Sequence, residues 1–313
     1  MDVDFPHLER LTRAECRQLL PGATVGRLAV PTPNFPTVEP VSFAVVEGEV
    51  VVAARAGSAA DAVPAGTVLS FEADVLDNAQ HDGWSVVWSG PVEELDDDTV
   101  ALVRPQLGPW PVADNDRLLL IRPERVTGQR IVTDAASSLE AAASATLAGS
   151  CGPATDAGEP RRFTRRAINT DEGIALLARG GQQVGRLVVT VGGEPVIFPL
   201  NFAVDGEAIV FRTQTGTKLT GITRSLATFE VDDIDASGQG WAVAFEGLAQ
   251  EVLDADPESM RERIAAIDLE TWPGGDRPHV VRIRPYRVHG TAWSVVPAPV
   301  AAESAPAASA QQA

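Results

Sequence analysis

Short runs of apolar residues, broken by Gly, Pro, Asn and Asp, occupy most of this chain. Runs rich in Val, Ile, Phe and Thr are typical of β-strands. The second half contains six of them: VGRLVVT, PVIFPLNFAV, AIVFRT, LATFEVD, WAVAFEGLAQEV and VVRIRPYRVHG. A helix start precedes each set, because Thr12 with Glu15, and Asn169 with Glu172, have capping-box spacing. Each half is therefore predicted to form an initial helix, six strands and a late helix, arranged as a closed or nearly closed antiparallel barrel.

The same sequence blocks occur twice, in the same order and about 160 residues apart. VGRLAV at 25–30 corresponds to VGRLVV at 184–189, and GWSVVWSG at 83–90 corresponds to GWAVAFEG at 240–247. PVSFAV, LSFEAD and IRPERVTG likewise recur as PLNFAV, ATFEVD and IRPYRVHG. Chance similarity between apolar strands would not keep all these blocks in register. The chain is therefore predicted to be a tandem duplication of one small β-barrel domain.

Composition between the blocks places the domain limits. The first barrel is expected over 8–134 and the second over 163–296. The segment 135–162 is rich in Ala, Ser, Thr and Gly, which is typical of a flexible linker. The tail 297–313, rich in Ala, Ser and Pro, is expected to be disordered.

The charge balance excludes several classes of partner. With 25 Lys and Arg against 43 Asp and Glu, the net charge is −18, which repels nucleic acid and anionic membranes. Two cysteines make a disulfide framework improbable, and we expect neither a secretory leader nor a membrane span. The simple interpretation is a cytoplasmic protein. The four histidines lack metal-ligand spacing, so no metal site is expected, and no residue is assigned a catalytic role.

One loop in the second copy has the chemistry of a phosphate site. A strand ends at Arg212 and Thr213 and turns through Gly216 and Thr217 into Lys218. Arg offers a planar fork of donors, Lys a compact charge and Thr a hydroxyl, while Gly lets the backbone approach a ligand closely. The other interpretation is an ordinary hairpin turn with a lysine on its surface.

The matching loop of the first copy lacks these groups. Aligned by sequence, Ala54 takes the place of Arg212 and Ala60 that of Lys218. Arg55 lies one residue late, which on a regular strand would turn its side chain to the other face. The first copy is therefore predicted to carry a degenerate phosphate loop.

Together, VGRLVVT, PLNFAV, FRTQTGTKL, FEVD and GWAV resemble the pyridoxamine 5′-phosphate oxidase-like family of FMN-binding split barrels, in particular its short actinobacterial flavin-nucleotide-binding members. In that family two barrels dimerise with FMN in the cleft between them. The resemblance implies a mainly β protein with minor α, built as two tandem split barrels that form an intramolecular pseudo-dimer. It assigns Arg212, Thr213, Thr217 and Lys218 to the FMN phosphate. Because only one loop is intact, we expect one FMN per chain, with the first copy forming the far wall.

Three other residues are candidates for contact with the flavin. Asn201 could hydrogen-bond the isoalloxazine edge or satisfy neighbouring backbone. Trp84 and Ser85 could contact the flavin across the interface, although core packing is the favoured interpretation for the tryptophan.

The carboxylates Glu72 and Glu230 recur in both copies, including the degenerate one. Such recurrence indicates a structural bond, with Arg27 and Arg186 of the VGR blocks as the suggested partners.

The leading hypothesis is an FMN-dependent oxidoreductase acting on an unknown small molecule. The alternatives are a flavin-nucleotide-binding or sensing module without turnover, and a deazaflavin-dependent reductase. In flavoproteins the cofactor supplies the redox chemistry, so the missing acid–base pair does not argue against an enzyme. The pseudo-dimer is compatible with a monomeric chain, and further association stays open.

Overall fold

A computed structural model of the chain describes residues 7–77, 82–132, 161–179, 183–214, 222–267, 269 and 277–297. Within these residues the first copy has nine strands and two helices. The strands are β1 (His7–Leu11), β2 (Gly26–Val30), β3 (Thr37–Val41), β4 (Phe43–Val46), β5 (Glu49–Ala54), β6 (Val68–Asp77), β7 (Asp82–Glu94), β8 (Arg117–Ile121) and β9 (Arg125–Val132). The helices are α1 (Arg13–Leu19) and α2 (Asp97–Val103), each followed by a short 3₁₀ turn.

The second copy repeats this order with longer, less interrupted strands. Its strands are β10 (Arg161–Ile168), β11 (Gln183–Val191), β12 (Glu194–Asp205), β13 (Ala208–Thr213), β14 (Leu226–Ile234), β15 (Gly240–Glu251) and β16 (His279–Pro297). Its helices are α3 (Thr170–Arg179) and α4 (Glu258–Ala265). The single strand β12 corresponds to β3 and β4, and the single strand β16 corresponds to β8 and β9. Among the described residues, no helix is long and apolar enough to cross a membrane.

Antiparallel pairing closes each copy around its own core. In the second copy the order is β16-β13-β12-β11-β14-β15, and β15 returns to pair with β16. The first core contains Leu28, Phe71 and Trp88, and the second contains Leu187 and Phe229. The glycines of the two VGR blocks are needed there, because a Cβ on Gly26 would lie 2.0 Å from the Phe71 ring and one on Gly185 would lie 2.2 Å from the Phe229 ring.

Both predicted helix starts are present. Thr12 caps α1 in a full capping box, with the Glu15 carboxylate accepting from the Thr12 amide at 2.7 Å. Asn169 Oδ1 accepts from the Glu172 amide at 2.9 Å, while the Glu172 carboxylate pairs with Arg166 instead of completing the box.

The predicted fold class is confirmed: the chain is mainly β, with two tandem split barrels forming an intramolecular pseudo-dimer. The sequence interpretation missed β1 and β10, which precede the helices and pair with β9 and β16. The domain limits stay predictions, because most of the proposed linker and nearly all of the proposed tail lie outside the described residues.

The two barrels meet through reciprocal contacts, which is the signature of an approximate two-fold axis. Ala29 and Val38 of the first copy pack with Val188 and Ile197 of the second in one buried cluster, and these are equivalent pairs. Two equivalent hydroxyls also cross the interface. Ser70 Oγ donates to the Pro195 carbonyl at 2.6 Å, and Thr228 Oγ1 donates to the Pro36 carbonyl at 2.5 Å.

A buried cluster of charges lies on the same axis. Arg27 donates to Asp232 of the other copy at 2.7 and 2.9 Å and to Asp74 of its own copy at 3.0 Å. Arg186 reciprocates by donating to Asp74 at 2.5 Å and to Asp232 at 3.3 Å. Glu72 and Glu230 lie further out. The suggested arginine–glutamate pairs exist only as approaches of 3.7 and 3.9 Å, and the short bonds go to the aspartates.

Protonation balances this cluster. Burial would raise the pKa of both aspartates, but Arg27 and Arg186 outweigh it and hold each pKa below its ordinary value. Burial, followed by the charge of Asp74, raises the pKa of Glu72 to about 8. Burial, followed by Asp232, also raises the pKa of Glu230. Two arginines therefore face two ionised aspartates, Glu72 is neutral at pH 7, and the pKa of Glu230 is shifted in the same direction.

Candidate functional site

A cavity of about 800 Å³ lies between the barrels, on the side of the first copy's loop. This first cleft falls within the size range of small-molecule and cofactor sites. Both copies line it. The first copy contributes, among others, Glu39, Ser42, Ala53, Arg55, Ser58 and Trp110. The second copy contributes, among others, Thr164, Arg165, Glu230, Ala242, His289 and Trp293. From the approximate two-fold symmetry we infer a second cleft on the side of the second copy's loop.

Strand register decides which loop residues are equivalent. Val50 pairs with Ile121 and Ile209 pairs with Ile283, and these isoleucines begin the repeated IRP blocks. Three residues on, Ala53 is therefore the equivalent of Arg212. The sequence alignment, which put Ala54 there, is wrong by one residue, because apolar positions alone do not fix a one-residue register.

The corrected register changes the interpretation of Arg55. It follows Ala53 by two residues, so both fall on the same face of the strand, and both line the first cleft. The expectation that Arg55 turns away is wrong. Ala54 packs in the first core, so its equivalent Thr213 is on the side of the strand opposite Arg212.

The predicted phosphate loop is only partly covered by the structure. Arg212 and Thr213 end β13, and both are half-buried. Because Ala53 lines the first cleft, its equivalent Arg212 is placed toward the second cleft. Gly216, Thr217 and Lys218 lie outside the described residues.

The remaining candidates fall at the interface or beside it. Asn201 is 5% exposed and is equivalent to Ser42, which lines the first cleft. Ser85 is equivalent to Ala242, another lining residue, and its hydroxyl donates to Glu72 at 3.2 Å. Trp84 packs against the first core, which is the packing role that the sequence also allowed.

Two arginines face the first cleft without a partner carboxylate. Among the described residues, no acid oxygen lies within 4 Å of the guanidinium of Arg55 or Arg165. Burial, followed by the charge of Arg55, lowers the pKa of Arg165, although a guanidinium stays protonated at pH 7. Burial raises the pKa of Glu39 nearby, an effect that the Ala60 amide and Arg55 oppose. The lining of this cleft also contains the carboxyl groups of Glu39, Asp116 and Glu230, so its distinguishing feature is the pair of arginines rather than a net charge.

Two stacked indoles form one wall of the first cleft. The rings of Trp110 and Trp293 lie 4.9 Å apart with 25° between their planes. Trp110 Nε1 also donates to the Gly238 carbonyl of the other copy at 2.8 Å, and its backbone amide donates to Ser42 Oγ at 3.2 Å. These bonds hold a flat apolar surface in the same cleft as Arg55 and Arg165.

Comparison with known proteins agrees with the duplication. A family model described as pyridoxamine 5′-phosphate oxidase matches residues 12–130 and again 169–292, about three quarters of the chain. The chain belongs to this family. The family predicted from the sequence is thereby confirmed for both copies.

Individual relatives of this family member each correspond to about one copy. An uncharacterized protein of Mycobacterium tuberculosis is 38% identical over 133 residues, which are 40% of this chain and 86% of that protein. An FAD-binding protein of Mycobacterium smegmatis is 30% identical, with a TM-score of 0.31, over 41% of this chain and 97% of its own. An FAD-binding protein of Mesorhizobium loti is 20% identical, with a TM-score of 0.34, over 41% and 96%.

Sequence reasoning missed several groups at the interface of this family member. Asp74 and Asp232 carry the short ion pairs, and their signal was available, since both recur two residues after the noted glutamates. Arg165 and Trp293 gave no such signal. They reach the first cleft only through the pairing of β10 with β16 and the docking of the barrels.

Proposed function

We propose that this protein binds FMN in the second cleft and uses it to oxidise or reduce a small molecule. Family membership supports a flavin, because the resemblance implies FMN between two barrels. One structural observation carries the assignment to this cleft. Ala53 lines the first cleft, and the register puts Arg212 at the equivalent position of the second.

The described residues fit an anionic nucleotide there. Arg212 offers a fork of donors, and no acid of the described residues lies within 4 Å of its guanidinium. The predicted loop residues Gly216, Thr217 and Lys218 would add a close backbone approach, a hydroxyl and a second cation. All these groups donate hydrogen bonds or carry positive charge, which is the chemistry a phosphate needs.

The residues of this chain act by binding and orientation. Arg212 would hold the phosphate, and the first copy would form the wall opposite the ring through Ser85 and its neighbours on β7. The buried Asn201, whose equivalent Ser42 lines the first cleft, would hydrogen-bond the ring edge. Bound FMN would supply hydride and single-electron transfer.

The flavin content of purified protein tests this proposal. We expect a yellow protein with one FMN per chain. The Arg212→Ala variant should bind FMN at least about tenfold more weakly, because a charge-assisted hydrogen bond is lost. Arg284→Ala, which removes an exposed arginine of β16 away from the first cleft, is the matched control and should keep wild-type affinity. Colourless protein that takes up no FMN in equilibrium dialysis would contradict the proposal.

Two further readouts separate the alternatives. A deazaflavin absorbs at shorter wavelength than FMN, so the spectrum of the bound ligand distinguishes the two cofactors. Reduction of the bound flavin by a nicotinamide nucleotide, followed by reoxidation by an organic acceptor, would support an enzyme. Bound FMN that turns over with no donor would instead support a binding or sensing module.

A further inference from the structure

The first cleft is a built cavity, although its loop lacks the arginine of the second copy. An emptied relic should collapse or fill with apolar side chains, since interiors are close-packed. Here a cavity of about 800 Å³ persists, with charged groups at its opening and a carboxyl group in its wall. We infer that the first cleft binds a second ligand, a planar ring compound that carries a carboxylate or phosphate group.

The anionic group follows from the two arginines. Arg55 comes from the first copy and Arg165 from the second, and their charges are close enough to act on each other. Glu39 attracts both arginines, but its carboxyl oxygens lie more than 4 Å from either guanidinium and burial raises its pKa. Two like charges with no closer acid among the described residues favour an anion between them. Neither residue corresponds to Arg212, so this cation pair is a separate feature of the first cleft.

The planar ring follows from the wall. Trp110 and Trp293 present stacked indoles, and Val38, Val41 and Val243 add apolar surface. Flat aromatic compounds bind such surfaces through dispersion and offset stacking.

A hydrogen-bond donor on the ring follows from Glu230. This side chain lines the first cleft and is 1% exposed, yet none of the described residues donates a hydrogen bond to either of its carboxyl oxygens. The nearest cationic nitrogen, on Arg186, lies 3.9 Å away. In the second cleft the equivalent Glu72 receives a bond from Ser85, but in the first cleft that position is Ala242, which has no hydroxyl.

The raised pKa of Glu230 agrees with this arrangement. Burial, the charge of Asp232 and a hydrogen bond to the Asp232 carboxylate all raise it, so the proton of Glu230 goes to Asp232 and its other oxygen is left to accept. A ligand with an acid group beside the two arginines and a donor group near Glu230 would satisfy both ends of the cavity.

Binding of 2-naphthoate, 2-naphthyl phosphate and neutral 2-naphthol, measured by calorimetry on the full chain, tests the inference. We expect at least one of the two acids to bind with one site per chain. The Arg55→Ala/Arg165→Ala double variant should weaken that binding about tenfold or more, while 2-naphthol binding should change little. Preference between the acids distinguishes carboxylate from phosphate recognition.

Two control variants sharpen the test. Arg284→Ala should leave binding of the acids unchanged, because Arg284 lies on the exposed face of β16. Ala242→Ser copies the second cleft and would give Glu230 the hydroxyl partner it lacks. Because that hydroxyl would compete with the ligand's donor, it should weaken binding of an acid with a ring hydroxyl, 6-hydroxy-2-naphthoate, about threefold or more.

Three outcomes would overturn the inference. They are an absence of saturable binding by either acid, acid binding that the double variant leaves intact, and stoichiometric displacement of the acids by FMN with loss of flavin in the double variant. The last would make the first cleft a flavin site. None of these outcomes depends on flavin in the second cleft. The Arg212→Ala variant should weaken flavin binding there without changing binding of the acids, and it therefore distinguishes failure of this inference from failure of the proposed function.

Discussion

The two clefts share one scaffold and differ at a few positions that carry chemistry. Where the second has Arg212 at its strand end, the first has Ala53, and its cations come instead from Arg55 and from the other copy. Where the second has Ser85 bonded to a buried glutamate, the first has Ala242. Duplication within one chain allows this divergence, because a homodimer must carry every change in both of its clefts.

The scaffold itself has been kept symmetric, and the reason is energetic. Each arginine of the buried cluster bonds aspartates of both copies, so a change in one copy leaves charges unpaired in both. Breaking a buried ion pair is far more damaging than changing a residue at the edge of a cavity. The asymmetry of the clefts therefore rests on a symmetric interface, and the predictions below test that contrast.

The largest expected effect is loss of either cluster arginine. Arg27→Ala and Arg186→Ala should each lower the free energy of unfolding by about 3–5 kcal/mol, because each leaves buried aspartates short of a cation. Urea denaturation followed by tryptophan fluorescence measures this loss.

Symmetry predicts that the two losses are similar. Arg284→Ala, on the surface, should stay within about 0.5 kcal/mol of wild type. A large loss for one cluster arginine and none for the other would show that the interface is as asymmetric as the clefts.

The next effect is a dependence of stability on pH. Folded Glu72 keeps its proton up to about pH 8, whereas in the unfolded chain it ionises near the ordinary value of 4.5. Its contribution is therefore full below about pH 4.5 and is lost as the pH rises to about 8. The lowered pKa values of Asp74 and Asp232 act only in acid, below 3.8. We therefore expect the free energy of unfolding to fall as the pH rises from about 4.5 to about 8.

Replacing the glutamate tests the cause of this fall. Glu72→Gln keeps an oxygen for the Ser85 bond but cannot ionise, so its unfolding free energy should fall less over the same range. Glu230→Gln should act in the same direction, and the exposed Glu207→Gln should retain the wild-type slope. Equal slopes in all four proteins would mean that other groups control the dependence.

Residue patterns in the sequence were enough for the fold but not for the clefts. Repeated blocks and strand periodicity predicted two barrels, because apolar alternation and glycines such as Gly26 are dictated by local packing. The sequence suggested Glu72 as the partner of Arg27. It could not identify Asp232, which accepts the shortest bond from Arg27, because the two residues are 205 positions apart in the chain. The face of Arg55 was predicted wrongly because a one-residue register error reverses every side chain. Long-range docking and register decide these features.

The smallest expected effect comes from the two hydroxyls that cross the interface. Ser70→Ala and Thr228→Val each remove a donor to a carbonyl of the other copy, at 2.6 and 2.5 Å, and each should lower the free energy of unfolding by about 1 kcal/mol. Ser70 also bonds Ser89, so its loss should be the larger of the two. Thr190→Val, which alters an exposed residue of β11, controls for the substitution itself. If Thr228→Val were as neutral as the control while Ser70→Ala lost more than 2 kcal/mol, the reciprocal bonds would not be equivalent, and the symmetry inferred from geometry would fail in energy.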